Sequence, residues 1–137
     1  MNIKERLPGM TMLVLLLLGA GFVAFMFLGV GAKTSVISVK VPDLSALAGQ
    51  GKVVFDANCA SCHGVNAGGG TGNGPPLVHK IYKAGHHVDQ AFVLAARNGV
   101  RAHHWPFGSM PKQPQVSLDD VAAIVRYVRE LQRANGI

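Results

Sequence analysis

Apolar and polar positions alternate with different rhythms in different parts of the chain, and the first stretch has no rhythm at all. No side chain between residues 7 and 32 is charged, and residues 10–31, "MTMLVLLLLGAGFVAFMFLGVG", are apolar almost throughout. These twenty-two residues, at about 1.5 Å each, make roughly 33 Å of helix, enough to cross a hydrocarbon core of about 30 Å. Lys4 and Arg6 precede the run; basic flanks face the cytoplasm, so everything after Ala32 lies on the far side. A cleaved signal peptide competes with this reading, because Val30 and Ala32 satisfy a small-residue cleavage rule before Lys33. Secretory apolar cores run only about 7–15 residues, which favours an uncleaved anchor, and residues 33–137 are exported either way.

The clearest helical period lies at the other end, in "VSLDDVAAIVRYVRELQRANGI". Ser117 with Asp120 three places on resembles a capping box, and Asp119 and Asp120 suit the positive end of a helix dipole. Val121, Ile124, Val125, Val128 and Leu131 form the expected buried stripe, with Arg126, Arg129, Glu130 and Arg133 facing water. Asn135-Gly136 ends the helix. A shorter helix is expected in "HVDQAFVLAARNG", with Asp89 as N-cap and Asn98-Gly99 as its stop. Residues 46–60 place Gly51, Phe55 and Cys59 at steps of four, along one helical face. Residues 33–42 mix β-branched residues, lysines and a proline without strong period and read as an extended tether. No alternating strand pattern appears. The expected architecture is all-α, with three or more helices after one N-terminal transmembrane helix. Residues 1–32 form the cytoplasmic tip and anchor, 33–44 a tether and 45–137 the exported domain.

Composition sharpens this picture. An exported domain of about 100 residues has room for only a small core, and with seventeen glycines but six Phe, two Tyr and one Trp in the chain, a bulky cofactor would supply missing apolar mass. Thirteen Lys and Arg stand against seven Asp and Glu, a net charge of +6. Such an excess steers encounters with acidic protein surfaces. Nucleic acid is excluded as a partner by export.

Candidate chemistry centres on "ANCASCHGVNAGGG", which holds both cysteines, Cys59 and Cys62, with His63 directly after. An oxidising compartment disfavours a resting dithiol. Structural zinc needs about four Cys or His ligands in paired clusters, and there is no second Cys-x-x-Cys. A thiol–disulfide oxidoreductase would place the pair after a strand in a βαβ unit. Cys-x-x-Cys-His instead reads as a c-type haem attachment site: two thiols add across the vinyl groups, and the adjacent histidine reaches the iron as proximal ligand.

With "CASCHG", "GPPL" about a dozen residues later, "SMP" further on and "VAAIVRYVREL" near the end, the exported part resembles the class I c-type cytochromes over roughly residues 45–134. The resemblance implies one covalently attached haem c in a small cytochrome c-like haem domain, with His63 and Met110 as axial ligands of the iron. It implies that Pro75 supplies the carbonyl that orients His63, that Leu77 walls the haem, and that Gly51, Phe55 and Tyr127 form the contact where first and last helices cross. His79, His86, His87, His103 and His104 compete with Met110, and a second histidine would lower the reduction potential. Two features depart from the family pattern. "KAGHHVDQ" and "RAHHWPF" carry two His pairs, which read either as polarity on the haem's propionate side or as a second metal site, since imidazole suits copper and zinc. Trp105, Arg97 and Arg101 could contact a propionate, and Lys80, Lys83, Lys112, Arg97 and Arg101 are the basic residues that could rim the haem edge. The glycine-rich run "GVNAGGGTGNGPP" lacks the Gly-Lys-Ser/Thr of a phosphate loop and reads as a flexible loop beside the haem.

Iron held on both faces has no open position for a substrate, so the implied role is outer-sphere electron transfer and not catalysis. The expected protein is a single-pass, inner-membrane monohaem carrier with its haem domain in the periplasm, passing single electrons between partners of a respiratory chain. It takes no small-molecule substrate. Two alternatives stand beside it: a tightly bound cytochrome subunit of an exported dehydrogenase, oxidase or reductase, and a haem sensor or peroxidase with displaceable Met110.

Overall fold

The computed structural model describes residues 7–28, 36–70 and 74–137, in two compact units, residues 1–32 and 33–137. The first contributes one helix, α1 (Leu7–Leu28), whose side chains are described over residues 11–24 and are exposed. Among the described residues no helix is long and apolar enough to cross a membrane. The expected cytoplasmic tip, residues 1–6, and the end of the expected span, residues 29–31, lie outside the described residues.

The second unit is helical, with α2 (Ala46–Asn58), the single turn α3 (Ala60–His63), α4 (Asp89–Asn98) and α5 (Leu118–Ala134). Among the described residues there is no strand, only an antiparallel bridge between Val100 and Met110. The helix starts follow the chemistry of their caps. Ser117 Oγ accepts the Asp120 N–H while the Asp120 carboxylate accepts the Ser117 N–H, a complete capping box. Ser45 Oγ similarly accepts from Ala48 N–H at α2. At α4 the structure corrects the expectation: the N-cap is Val88, without a side-chain cap, and Asp89 is the first helical residue. The Asp89 carboxylate is instead engaged by Arg129 Nε at 2.8 Å.

Helices α2 and α5 cross at Gly51, which is buried. A Cβ there would stand 1.9 Å from the Ala123 carbonyl oxygen and 2.4 Å from its carbon, so the two backbones meet only because this residue has none. One turn on, Phe55 packs its ring against Tyr127 at 5.6 Å between centroids, and both are fully buried together with Ala48, Val128 and Leu131. Residues 36–45 form no helix or strand and are docked: Ile37 N–H donates to Gly68 O, Lys40 exchanges hydrogen bonds with the Asn135 side chain, and Ile37, Val39 and Leu44 pack on the core. The glycine-rich run also differs from a flexible loop over its described part, since Ala67, Gly68 and Gly69 are buried; residues 71–73 lie outside the described residues.

Two residues assigned to the solvent face of α5 are buried. Arg129 is 7% exposed and Glu130 8%. Arg129 extends its guanidinium to the carbonyls of Tyr82 and His87, to Gln132 Oε1 and to Asp89; its fork supplies donors to backbone of the connection that leads into α4. Arg129→Met should lower stability by about 2–4 kcal/mol, because two carbonyls lose charged donors inside the fold. Chemical denaturation followed by circular dichroism measures it, and a change within experimental error would show these bonds to be dispensable.

Glu130 accepts from Ser45 N–H (3.0 Å), Ser45 Oγ–H (2.7 Å) and Arg126 Nε (2.7 Å). Burial alone would raise its pKa, but the bonds from Ser45 and Arg126 more than offset this and hold it below the usual carboxylate range. A depressed folded-state pKa contributes stability above the unfolded value, and that contribution is lost as pH falls through the folded one. The stability gap between the native chain and Glu130→Gln should therefore be full at neutral pH and narrow on acidification below the ordinary carboxylate range. A gap independent of pH would rule out the charged form of Glu130 as its source.

Candidate functional site

His63 ends the single turn that carries Cys59 and Cys62. Gly64 caps it at φ +76°, where a Cβ would meet the Gly69 carbonyl at 1.8 Å; only glycine lets the chain fold back so that Gly69 N–H reaches His63 O at 2.7 Å. The returning strand of loop brings Pro75 to the imidazole. His63 Nδ1 lies 2.9 Å from Pro75 O, with the ring N–H donating, which leaves Nε2 with its lone pair free. Burial lowers the His63 pKa, with the Pro75 bond opposing, which favours the neutral ring. The thiols are not joined to each other. Burial, and then the neighbouring Cys62, push the Cys59 thiol up to about 11.

Above this turn opens a cavity of about 410 Å³, in the size range of small-molecule and cofactor sites. Cys59, His63, Pro75, Leu77 and Met110 all line it, while Cys62 is half-buried and is not among the lining residues. Leu77 is held in the wall by its carbonyl, which accepts from Gln132 Nε2 at 2.8 Å. Met110 arrives from a different part of the chain. Its N–H donates to Val100 O at 2.9 Å and its carbonyl accepts from Val100 N–H at 3.0 Å, so the base of its side chain is pinned to the chain segment that follows α4.

Of the basic residues expected at the rim, only Arg101 lines the cavity; Lys80, Lys83, Arg97 and Lys112 are exposed elsewhere. His79 and His86 are also off the wall, whereas His87, His103 and His104 are on it. The sequence pattern missed much of the apolar lining. Val121 and Ile124 belong to the stripe of α5 but face the cavity as well as the core, and Phe55, Phe92, Val100 and Val116 complete the wall. The excess width of the apolar face of α5 over what α2 alone can cover was the available signal.

These residues fit a haem. Soft and imidazole donors, Met110 and His63, belong to one apolar cavity with a thiol at its edge, and that donor set is the one iron porphyrins use. The indole N–H of Trp105, on the same wall, is buried and meets no partner in hydrogen-bond geometry; the nearby Tyr82 hydroxyl has its pKa raised by burial, with its approach to Trp105 opposing. A carboxylate entering the cavity would satisfy it.

Comparison with known proteins agrees with this geometry. The "Cytochrome c" family matches residues 48–132. The cytochrome bc1 complex cytochrome c subunits of Mycobacterium bovis and Mycobacterium tuberculosis are each 37% identical over 77 residues, 56% of this chain and 26% of theirs. The corresponding subunit of Mycobacterium leprae is 37% identical over 70 residues, 51% of this chain and 22% of its own. The chain thus spans about a quarter of the length of these relatives. No solved structure matches it. The family match covers the Cys-x-x-Cys-His turn, the Pro75 and Met110 loops and all but the last residues of α5, and on it the chain belongs to the cytochrome c family, whose covalently bound cofactor is haem c.

Proposed function

We propose that this protein is a membrane-anchored, monohaem electron-transfer protein of a respiratory chain. The observation that carries the reading is a single apolar cavity lined by His63 and Met110, with Cys59 at its edge and the Pro75 carbonyl behind the imidazole. Haem c supplies a one-electron iron couple when bound. Cys59 and Cys62 would tether it, and His63 Nε2, its ring fixed through Nδ1, together with the Met110 thioether would hold the iron, which would leave no position for substrate. Leu77, Val121 and Ile124 keep water out, which limits reorganisation as charge changes. Residues 1–32 act as cytoplasmic tip and single-pass anchor, on the strength of the uncharged run 10–31, residues 33–44 connect, and residues 45–137 lie outside the cytoplasm, in the periplasm of a bacterium. Basic side chains in excess favour redox partners with acidic docking surfaces.

The names of the relatives favour a second reading, a cytochrome permanently bound within a larger membrane complex. Purification from native membranes separates the two: a carrier leaves in a high-salt wash as its own species, and a subunit stays with its partners. For either, the detergent-solubilised chain is expected to keep haem through denaturing electrophoresis, to show a reversible one-electron couple and to display the Met-to-ferric-iron absorption band. Haem lost on denaturation would overturn the attachment at Cys59 and Cys62.

A further inference from the structure

We propose that His87, His103 and His104, with His86 beside them, form a second metal site that takes one copper(II) ion at the mouth of the cavity. One ring nitrogen from each of His87, His103 and His104 lies within 4.8 Å of the other two. In the square-planar or tetragonal arrangement that copper(II) prefers, neighbouring donors at about 2.0 Å from the metal lie about 2.8 Å apart, so rotations of two exposed rings, His103 and His104, close the site. The rings are already assembled: His103 and His104 centroids are 4.2 Å apart, and His104 stands 5.9 Å from His87 and 6.3 Å from His86.

The outer contacts of these rings match what a metal-bound histidine needs. His86 Nδ1 and His87 Nδ1 both face the Ile81 carbonyl, at 2.9 and 2.7 Å, and His103 Nδ1 lies 2.8 Å from the Arg101 carbonyl. His86 Nδ1 also lies 2.9 Å from His87 Nδ1, so one of these two rings donates to Ile81 O while the other accepts; where Nδ1–H is donated to backbone, as at His103, the tautomer is fixed and Nε2 keeps its lone pair free. The backbone of His87 is itself held, because its carbonyl accepts from Arg129. No carboxylate or thiol joins the three donors, and an all-imidazole set ranks copper(II) above the other first-row divalent ions. Calcium and magnesium, which want oxygen, are excluded.

The test is a copper(II) titration of the haem-loaded full chain in detergent, followed by electron paramagnetic resonance, with zinc(II) as competitor. One equivalent bound, with nitrogen hyperfine structure from three or more imidazoles, is the expected result. The double variant His103→Gln/His104→Gln alters only exposed side chains and should weaken binding by more than the roughly 10–100-fold that loss of an outer contact costs; His79→Gln should not change it. Copper bound equally by the double variant, or no binding at stoichiometric metal, overturns the site. The same samples report haem separately by its absorbance after denaturation. Loss of haem alone would sink the electron-transfer reading and leave the copper result standing.

Discussion

Gly51→Ala is expected to destabilise the haem domain by about 3 kcal/mol or more, a fall in melting temperature of roughly 10 °C or more for a domain of this size. The atoms that a Cβ would strike are Ala123 O and C and Ile124 N, at 1.9, 2.4 and 2.9 Å. All belong to backbone, so no side chain can swing aside, and relief requires α2 and α5 to separate along their whole contact. That separation would loosen Phe55 against Tyr127 and open the inner wall of the cavity, so covalent haem yield should fall along with stability. Gly49, two residues earlier on the same helix, supplies the internal contrast. A Cβ there meets nothing within 4 Å, and Gly49→Ala should stabilise by about 0.5–1 kcal/mol through helix propensity alone. Thermal unfolding of both variants measures the pair. Equal effects at the two positions would show that the close approach at Gly51 does not support the fold.

That contrast marks how far the sequence was legible. Gly51 and Phe55 share a helical face by spacing, and the Ser117–Asp120 box is written in four consecutive residues, so both could be read locally. Arg129 and Glu130 could not. Their positions fall outside the apolar stripe of α5 when the helix is considered alone, and they are buried only because residues 77–89 fold over that side and present bare carbonyls to Arg129, while Ser45 does the equivalent for Glu130. Asp89 failed as a cap for the same reason: a partner 40 residues away outbid a local backbone bond. The Cys-x-x-Cys-His turn announces its chemistry in five residues, but the enclosure around it does not. The cavity wall is gathered from α2, α4, α5 and the loop near Trp105, and the meeting of the two His pairs depends on how residues 81–87 and 101–104 fold beside each other.

Met110→His should lower the reduction potential by a sizeable share of the roughly 0.8 V that axial ligands span, and should abolish the Met-to-ferric-iron band. A thioether is a soft, weak donor that favours the ferrous state, whereas an imidazole donates more strongly and favours the ferric one. The substitution leaves the scaffold in place, because Met110 is pinned to Val100 through its own backbone N–H and carbonyl and the side chain takes no part in either bond. Met110→Ala separates ligation from packing. It removes the donor without replacing it, so the ferrous protein should bind carbon monoxide at neutral pH where the native chain does not. Redox titration and carbon monoxide difference spectra on the three proteins give the answer. If the potential is unchanged in Met110→His and the native chain already lacks the band, the sixth ligand is another residue, and His87, His103 and His104, which line the same cavity, become the residues to substitute next. If the native chain itself binds carbon monoxide readily, Met110 is displaceable and the reading shifts from electron transfer toward sensing or peroxide chemistry.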